Sequence, residues 1–199
     1  MIGDDDKQFW SLGRLVIGID EVGRGTLAGD CYIGLVCFTN PDIDLISSLG
    51  LNDSKKLSNK KRFDLEDNKI KENSKYKIVK VSSDEINTGE NLNTLIFSAI
   101  NRGLEEFNKN YVVFMDGNQS IPNIKFTQVI KPKFDSLSWS VAAASIIAKN
   151  EQVRAMLELD KLYPKYGFKR HNGYGTKEHK EAINKFGILE CHRKHWVKI

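Results

Sequence analysis

Four carboxylates are the residues in this 199-residue chain whose types and placement could do chemistry. Residues 15–20 (LVIGID) and 111–116 (YVVFMD) end alike: mostly apolar residues, then an aspartate, then a turn. If both are strands lying side by side and parallel, Asp20 and Asp116 meet at the carboxyl end of the sheet, where open α/β sheets place their sites. Like charges brought that close repel. They persist where a proton is shared or a divalent cation neutralises them, and hard oxygen ligands select Mg²⁺ or Mn²⁺. Asp135 stands just before an apolar helical stretch, where a carboxylate caps exposed amides or completes a metal site. Glu21 is the fourth candidate. In a regular strand it faces away from Asp20, so both serve one site only if the chain bends at Glu21 or if Glu21 contributes through its carbonyl or a water. Each acid alone would suit an exposed turn; the set points to metal chemistry. No His or Cys stands at a metal-ligand spacing with them, and no Gly-x-Ser-x-Gly or Walker segment competes for the chemistry.

Gly23, Arg24 and Gly25 follow the first acid pair, with Gly29 close behind. Glycines there let backbone N–H and C=O groups approach a ligand closely. The elements that must position these residues read as an α/β layer architecture. Residues 15–20 suit a central strand covered on both faces, and 30–38, 76–81, 111–115 and 124–130 read as further strands. Leu92, Leu95, Ile96, Ala99, Ile100, Gly103, Leu104 and Phe107 repeat at three and four, one apolar helical stripe that belongs to a core. Residues 57–73 read as a polar surface helix capped by Ser58. Residues 138–162 read as a long helix whose small residues at 142–145 allow close packing, stopped by Pro164 and Gly167, and 176–185 as a short last helix. Residues 1–14, with Asp4-Asp5-Asp6-Lys7 and no apolar periodicity, read as an N-terminal tail. Residues 15–160 then form the main domain and 161–199 a small helical and loop extension.

Composition sets the frame. With 40% apolar and 28% charged residues, a chain of this length buries roughly 70% of its unfolded surface and needs neither disulfide nor structural metal. Cys31, Cys37 and Cys191 form no C-x-x-C zinc pattern and read as buried reduced thiols. No apolar run approaches the ~20 residues of a spanning helix, and no signal-like segment opens the chain, so a cytoplasmic protein without membrane association is expected. The formal charge is only +4, but residues 149–199 carry 12 Lys/Arg against 6 Asp/Glu. The positive field is therefore C-terminal, which suits a polyanion or simply a solvated face.

Taken together these segments resemble the type 2 ribonucleases H, the ribonuclease HII family. The matching stretches are IGIDEVGRGTLAG (17–29), NDSKKLS (52–58), MDGN (115–118), DSLSWSVAAASIIAK (135–149), YPKYGFKRHNGYGTKEH (163–179) and CHRKHW (191–196), in the family's order. The resemblance implies a ribonuclease H-like fold, a mixed central sheet flanked by helices, with the C-terminal extension contacting substrate. It implies endonucleolytic hydrolysis of RNA in RNA–DNA hybrids and at single ribonucleotides embedded in duplex DNA, by two Mg²⁺ or Mn²⁺ ions, leaving 3′-hydroxyl and 5′-phosphate ends. The family's acids fall on Asp20, Glu21, Asp116 and Asp135, and the backbone that contacts the 2′-hydroxyl on Gly23, Arg24 and Gly25. Its junction-sensing tyrosine falls on Tyr174, and groove-lining positions on Lys55 and Ser145. His171, His179 and His192 are expected to hold loops or touch phosphate rather than ligate metal, Trp139 and Trp196 to lie in the core or at the groove edge, and the protein to act as a monomer. The sequence departs from the family at Thr26 and Asp30, where proline is common, and at Phe134, where glycine is usual. Two other readings fit the residues: a related metal-dependent DNase, and a non-catalytic hybrid-binding module.

Overall fold

A computed structural model describes residues 1–52, 54–108 and 110–198; Asp53, within the NDSKKLS segment, lies outside the described residues. The chain runs α1 (Asp4–Ser11), β1 (Val16–Val22), β2 (Cys31–Phe38), α2 (Ile43–Ser48), a 3₁₀ turn (Ser54–Lys56), α3 (Asn59–Leu65), a π-helical stretch (Glu66–Ile70) and α4 (Lys71–Asn73). It continues with β3 (Ser74–Val81), α5 (Ser83–Asn87), α6 (Leu92–Leu104), β4 (Val112–Asp116), β5 (Thr127–Lys131), a second 3₁₀ turn (Phe134–Ser136), α7 (Trp139–Leu162), α8 (Phe168–His171) and α9 (Lys177–Phe186).

The strands form a five-stranded sheet in the order β3-β2-β1-β4-β5. β1 is antiparallel to β2 and β2 to β3, whereas β1, β4 and β5 are parallel. Val16, Ile17 and Ile19 are fully buried, as a central strand covered on both faces requires. Because Ile19 registers with Met115, the next residue of each strand is an aspartate, and Asp20 and Asp116 stand side by side where the β1–β4 pairing ends, while β1 runs on to Val22 against β2.

Two glycines let the long helix reach the sheet. A Cβ on Gly18 would come within 2.1 Å of the Ser140 backbone, and one on Gly34 within 2.3 Å of the Ala144 carbonyl oxygen. The small residues of α7 thus lie directly on β1 and β2, and Val141 to Ala148 are buried. On the opposite face the α6 stripe (Ile96, Ala99, Ile100, Leu104) joins Ile17, Ile33, Leu35 and Val113 in one core.

Two expectations are corrected. Residues 1–14 are not a tail outside the fold: α1 packs on it, with Phe9 edge-on to Phe114 and Trp10 stacked on Trp139 at 6.0 Å. Buried Asp6 accepts hydrogen bonds from the amides of Trp139 and Ser140 and the hydroxyls of Ser138 and Ser140, at 2.7 to 3.1 Å. A carboxylate on the open amides of a helix N-terminus satisfies donors that have no partner within the helix, and periodicity cannot reveal it because the partner lies over 130 residues away. The 57–73 segment is likewise not one surface helix. Ser58 does cap it, accepting from the Lys61 amide, but the helix widens to a π turn where Glu66 is buried. Its carboxylate takes a bidentate pair from Arg154 (3.0 and 2.8 Å) and a bond from Asn150 (2.6 Å). A buried charge needs such partners; these two sit on α7, and Lys71 of α4 adds an ion pair at 3.1 Å.

Beyond α7 the chain forms a small lobe in which Met156, Tyr166, Phe168 and Ile183 close over Ala28. The last segment returns to the body, where Asn87 holds it by donating to the His192 carbonyl and accepting from the Lys194 amide. Among the described residues no helix is long and apolar enough to cross a membrane. Cys31 and Cys37 are buried free thiols, and Cys191 is free and half-buried.

Candidate active site

At the carboxyl ends of β1 and β4 lies a cavity of about 550 Å³. Its lining contains Asp20, Glu21 and Asp116, the Gly23-Arg24-Gly25 loop, Lys55, Ser145 and Tyr174, which are nine of the ten residues marked from sequence. Asp135, the tenth, is buried beside this wall, in the 3₁₀ turn before α7. The amide of its neighbour Phe134 donates to Asp116 Oδ1 at 2.8 Å, which fixes the two acid-bearing segments to each other.

The carboxylates are crowded. Burial raises the Asp20 carboxyl well above the usual range, and the charges of Glu21, Asp116 and Asp135 push it further, while a hydrogen bond from Ser145 opposes them. Burial likewise brings Glu21 up to about 7, against the pull of the Arg24 guanidinium and with help from Asp116. β1 runs on through Glu21 to Val22, yet both acids line the one cavity, and the Glu21 side chain leans along the strand to Arg24 Nη1 at 3.5 Å. Glu21 Oε2 is buried and has no hydrogen-bond partner.

As the side chains stand, no group of three or more His, Cys, Asp or Glu among the described residues is arranged to hold a metal ion. The reason is visible in their partners: Asp20 Oδ1 accepts from the Glu21 amide, Asp116 Oδ1 from the Phe134 amide, and Glu21 faces Arg24. The donor set nevertheless fits a hard divalent cation. It is all carboxylate, mutually repelling, and holds one orphaned buried oxygen, a combination that a cation relieves.

The rest of the cavity is built to receive something else. Gly23 has φ 92°, and a Cβ there would meet the Asp30 carbonyl at 2.9 Å, so only glycine suits this turn. At Gly25 a Cβ would meet nothing within 4 Å; the space before it is open cleft. Thr26 replaces the common proline by tying the turn with its hydroxyl, which donates to the Gly23 carbonyl at 3.0 Å, and it bridges to Tyr174. Phe134 replaces glycine by stacking on Phe114 at 4.9 Å in the core, leaving the acid-bearing turn intact. Asp30 accepts from Lys80 and the Ser83 amide, joining β2 to α5.

Several wall residues escaped the sequence reading. Lys149 sits one turn beyond Ser145 on α7, its ammonium donating to Gln152 Oε1 at 2.6 Å and lying 5.6 Å from the centre of the Tyr174 ring. Burial, then the charges of Arg62 and Lys55, lower its ammonium to about 8. The i, i+4 spacing from Ser145 was the signal that could have found it. Ser54 Oγ lies 2.8 Å from Ser145 Oγ, and Arg62 donates to the Ser54 and Leu57 carbonyls, holding the Lys55 turn at the cavity. Arg193, fully buried, donates to the carbonyls of Arg24 (2.8 Å) and Gly29 (3.0 Å) and so pins both ends of the glycine loop. Nothing local in sequence links residue 193 to residue 24.

A mixed sheet with strand-end carboxylates, crossed by one long helix, defines the ribonuclease H-like class. The crystal structure of the ribonuclease H2 from Pyrococcus horikoshii OT3 superimposes with a TM-score of 0.78 at 25% identity, over 92% of this chain and 93% of that one. The family model for ribonuclease HII matches residues 17–199. Ribonuclease HII of Wolbachia sp. subsp. Brugia malayi is 43% identical over 192 residues, 94% of this chain and 90% of that protein. That of Caldicellulosiruptor bescii is 40% identical over 189 residues, 93% and 87%. The chain therefore belongs to the ribonuclease HII family, and it is an endoribonuclease of the ribonuclease H type.

Proposed function

We propose that this chain hydrolyses the RNA strand of RNA–DNA hybrids and cuts at single ribonucleotides embedded in duplex DNA, leaving 3′-hydroxyl and 5′-phosphate ends. The observation that supports this most is one cavity lined by strand-end carboxylates on one side and by the Gly23-Arg24-Gly25 loop and Tyr174 on the other. Asp20, Glu21, Asp116 and Asp135 would hold two divalent cations, Mg²⁺ or Mn²⁺. When bound, such ions supply water activation and charge stabilisation at the leaving oxygen.

The chain's own residues do the rest. Backbone groups of Gly23 to Gly25 hydrogen-bond the 2′-hydroxyl; an all-DNA strand leaves them unpaired at a cost of roughly 1 to 3 kcal/mol each. Tyr174 stacks on the sugar of the deoxynucleotide next to the cut. Lys55 and Lys149 take phosphates, which position the duplex without reading bases. Ser145 orients the Asp20 carboxylate.

A labelled duplex with one ribonucleotide and its all-DNA twin, each incubated with Mg²⁺ or Mn²⁺, test the reading. Cutting of the first alone is expected, and cutting of both would replace it by a DNase. Asp116→Asn is expected to abolish turnover while folding and hybrid binding persist, because the amide oxygen can still accept from the Phe134 amide. Full rate in that variant, measured on the one-ribonucleotide duplex, would remove the carboxylates from the chemistry.

A further inference from the structure

Tyr174 stands in a loop, 39% exposed, between left-handed Asn172 (φ 50°) and Gly173 (φ 79°) and the N-cap of α9. Beyond the Lys149 ammonium at its ring, the placement of so exposed a side chain depends on the backbone that carries it. That backbone is tied to a buried line of imidazoles. The Leu189 amide donates to His192 Nδ1 at 2.9 Å, His192 Nε2 lies 3.2 Å from His179 Nε2, and His179 Nδ1 lies 2.9 Å from the Tyr174 carbonyl oxygen. His179 and His192 are fully buried.

The two ends of this line fix its protons. An amide N–H only donates, so His192 Nδ1 carries the lone pair and Nε2 the hydrogen. A carbonyl only accepts, so His179 Nδ1 carries the hydrogen and Nε2 the lone pair. The middle contact then has one donor and one acceptor, and every ring nitrogen is satisfied with both rings neutral. A proton added to either ring would set two N–H groups against each other. Burial lowers the basicity of both rings, His179 to about 4, in keeping with that arrangement. His171 closes the other side: it stacks on His179 at 4.2 Å, and its Nδ1 accepts from the Gly173 amide at 3.3 Å. The Thr176 amide takes the second lone pair of the Tyr174 carbonyl at 2.8 Å.

We infer that His192 and His179 are positioning residues for substrate selection: a neutral two-imidazole relay from the C-terminal segment that holds the Tyr174 backbone, and so its ring, in place at the cleft. The inference rests on the reading of Tyr174 as the group that senses the ribonucleotide junction. Its readout is the ratio of kcat/KM on a one-ribonucleotide duplex to that on a continuous hybrid, since a general loss of fold lowers both.

The experiment compares the full chain with Tyr174→Ala, His179→Leu and His179→Asn. Tyr174→Ala and His179→Leu are each expected to lower the ratio about 10-fold or more, as misplacement of a positioning group does. His179→Asn keeps an N–H near the Nδ1 position and is expected to recover most of it. A wild-type ratio in His179→Leu beside a lowered one in Tyr174→Ala overturns the relay and leaves the reading of Tyr174 standing. Equal loss in His179→Leu and His179→Asn also overturns it, because packing is then what matters. An unchanged ratio in Tyr174→Ala removes the reading itself and the relay with it. Should His179→Leu fail to fold, ¹⁵N NMR of the wild-type rings decides: hydrogen on His192 Nε2 and His179 Nδ1 is expected, and any other pattern overturns the relay.

Discussion

Lys149 and Glu21 show at single-residue scale how burial shapes this cleft. Lys149 is a cation in a half-buried wall near Arg62 and Lys55, with its ammonium lowered to about 8, chiefly by burial; a phosphate would add countercharge there. Lys149→Met, which keeps the aliphatic bulk, is expected to weaken hybrid binding in low salt and to reduce the slope of log affinity against log salt by about 0.9, one phosphate contact. An unchanged slope in a fluorescence-anisotropy titration would put Lys149 outside the interface. Glu21 carries the opposite strain. Its carboxyl is brought up to about 7 in the fold by burial, against an ordinary value of 4.5. A folded-state pKa above the unfolded one means that the folded protein binds the extra proton. The associated stability is present below about pH 4.5 and lost as pH rises through about 7. In chelator-treated samples Glu21→Gln should therefore melt above the wild type at pH 8, with the gap closing toward pH 4.5. The opposite ordering in a thermal melt would mean that Arg24 outweighs burial.

Among the elements, α7 does most to place the site, since it carries Ser145 and Lys149 and presses on β1 through Gly18. Its N-terminus is finished by another element: Ser138 is the local cap, and Asp6 of α1 supplies the anion. Asp6→Ala leaves buried amides and hydroxyls unpaired and is expected to cost about 1 to 3 kcal/mol, seen as a lower urea midpoint at unchanged slope. A midpoint equal to wild type would make α1 an ornament of the fold. The strands, α6 and α7 were legible because their burial is one- or two-faced and leaves a period in the sequence. α1 and the π turn at Glu66 were not, because each is held by a buried carboxylate whose hydrogen-bond donors on α7 lie more than 80 residues along the chain.

For the molecule as a whole, the C-terminal segment is the strap that joins the lobe to the sheet. Arg193 grips the glycine loop, and the His192–His179 contact lies behind Tyr174. Such a strap built on neutral imidazoles is acid-labile. His179 titrates at about 4 in the fold, lowered chiefly by burial, against 6.5 ordinarily. The unfolded chain then binds more protons in that interval, so the contribution is complete above about pH 6.5 and is lost as pH falls through about 4. The melting temperature of the wild type minus that of His179→Asn is expected to rise between pH 4 and 6.5 and to level off above. A flat difference would show that the ring is not held neutral.

Sequence alone determined the chemistry on offer: strand-end acids at Asp20 and Asp116, a glycine loop after the first, and a small-residue helix able to lie on the sheet. These were readable because residue type and local spacing carry them. Tertiary structure decided that Asp135 sits beside the cavity wall with Phe134 bonded to Asp116, and that residues 192 and 193 support the two loops facing the acids. Those contacts join groups 13 to 169 positions apart, separations over which local patterning holds no information.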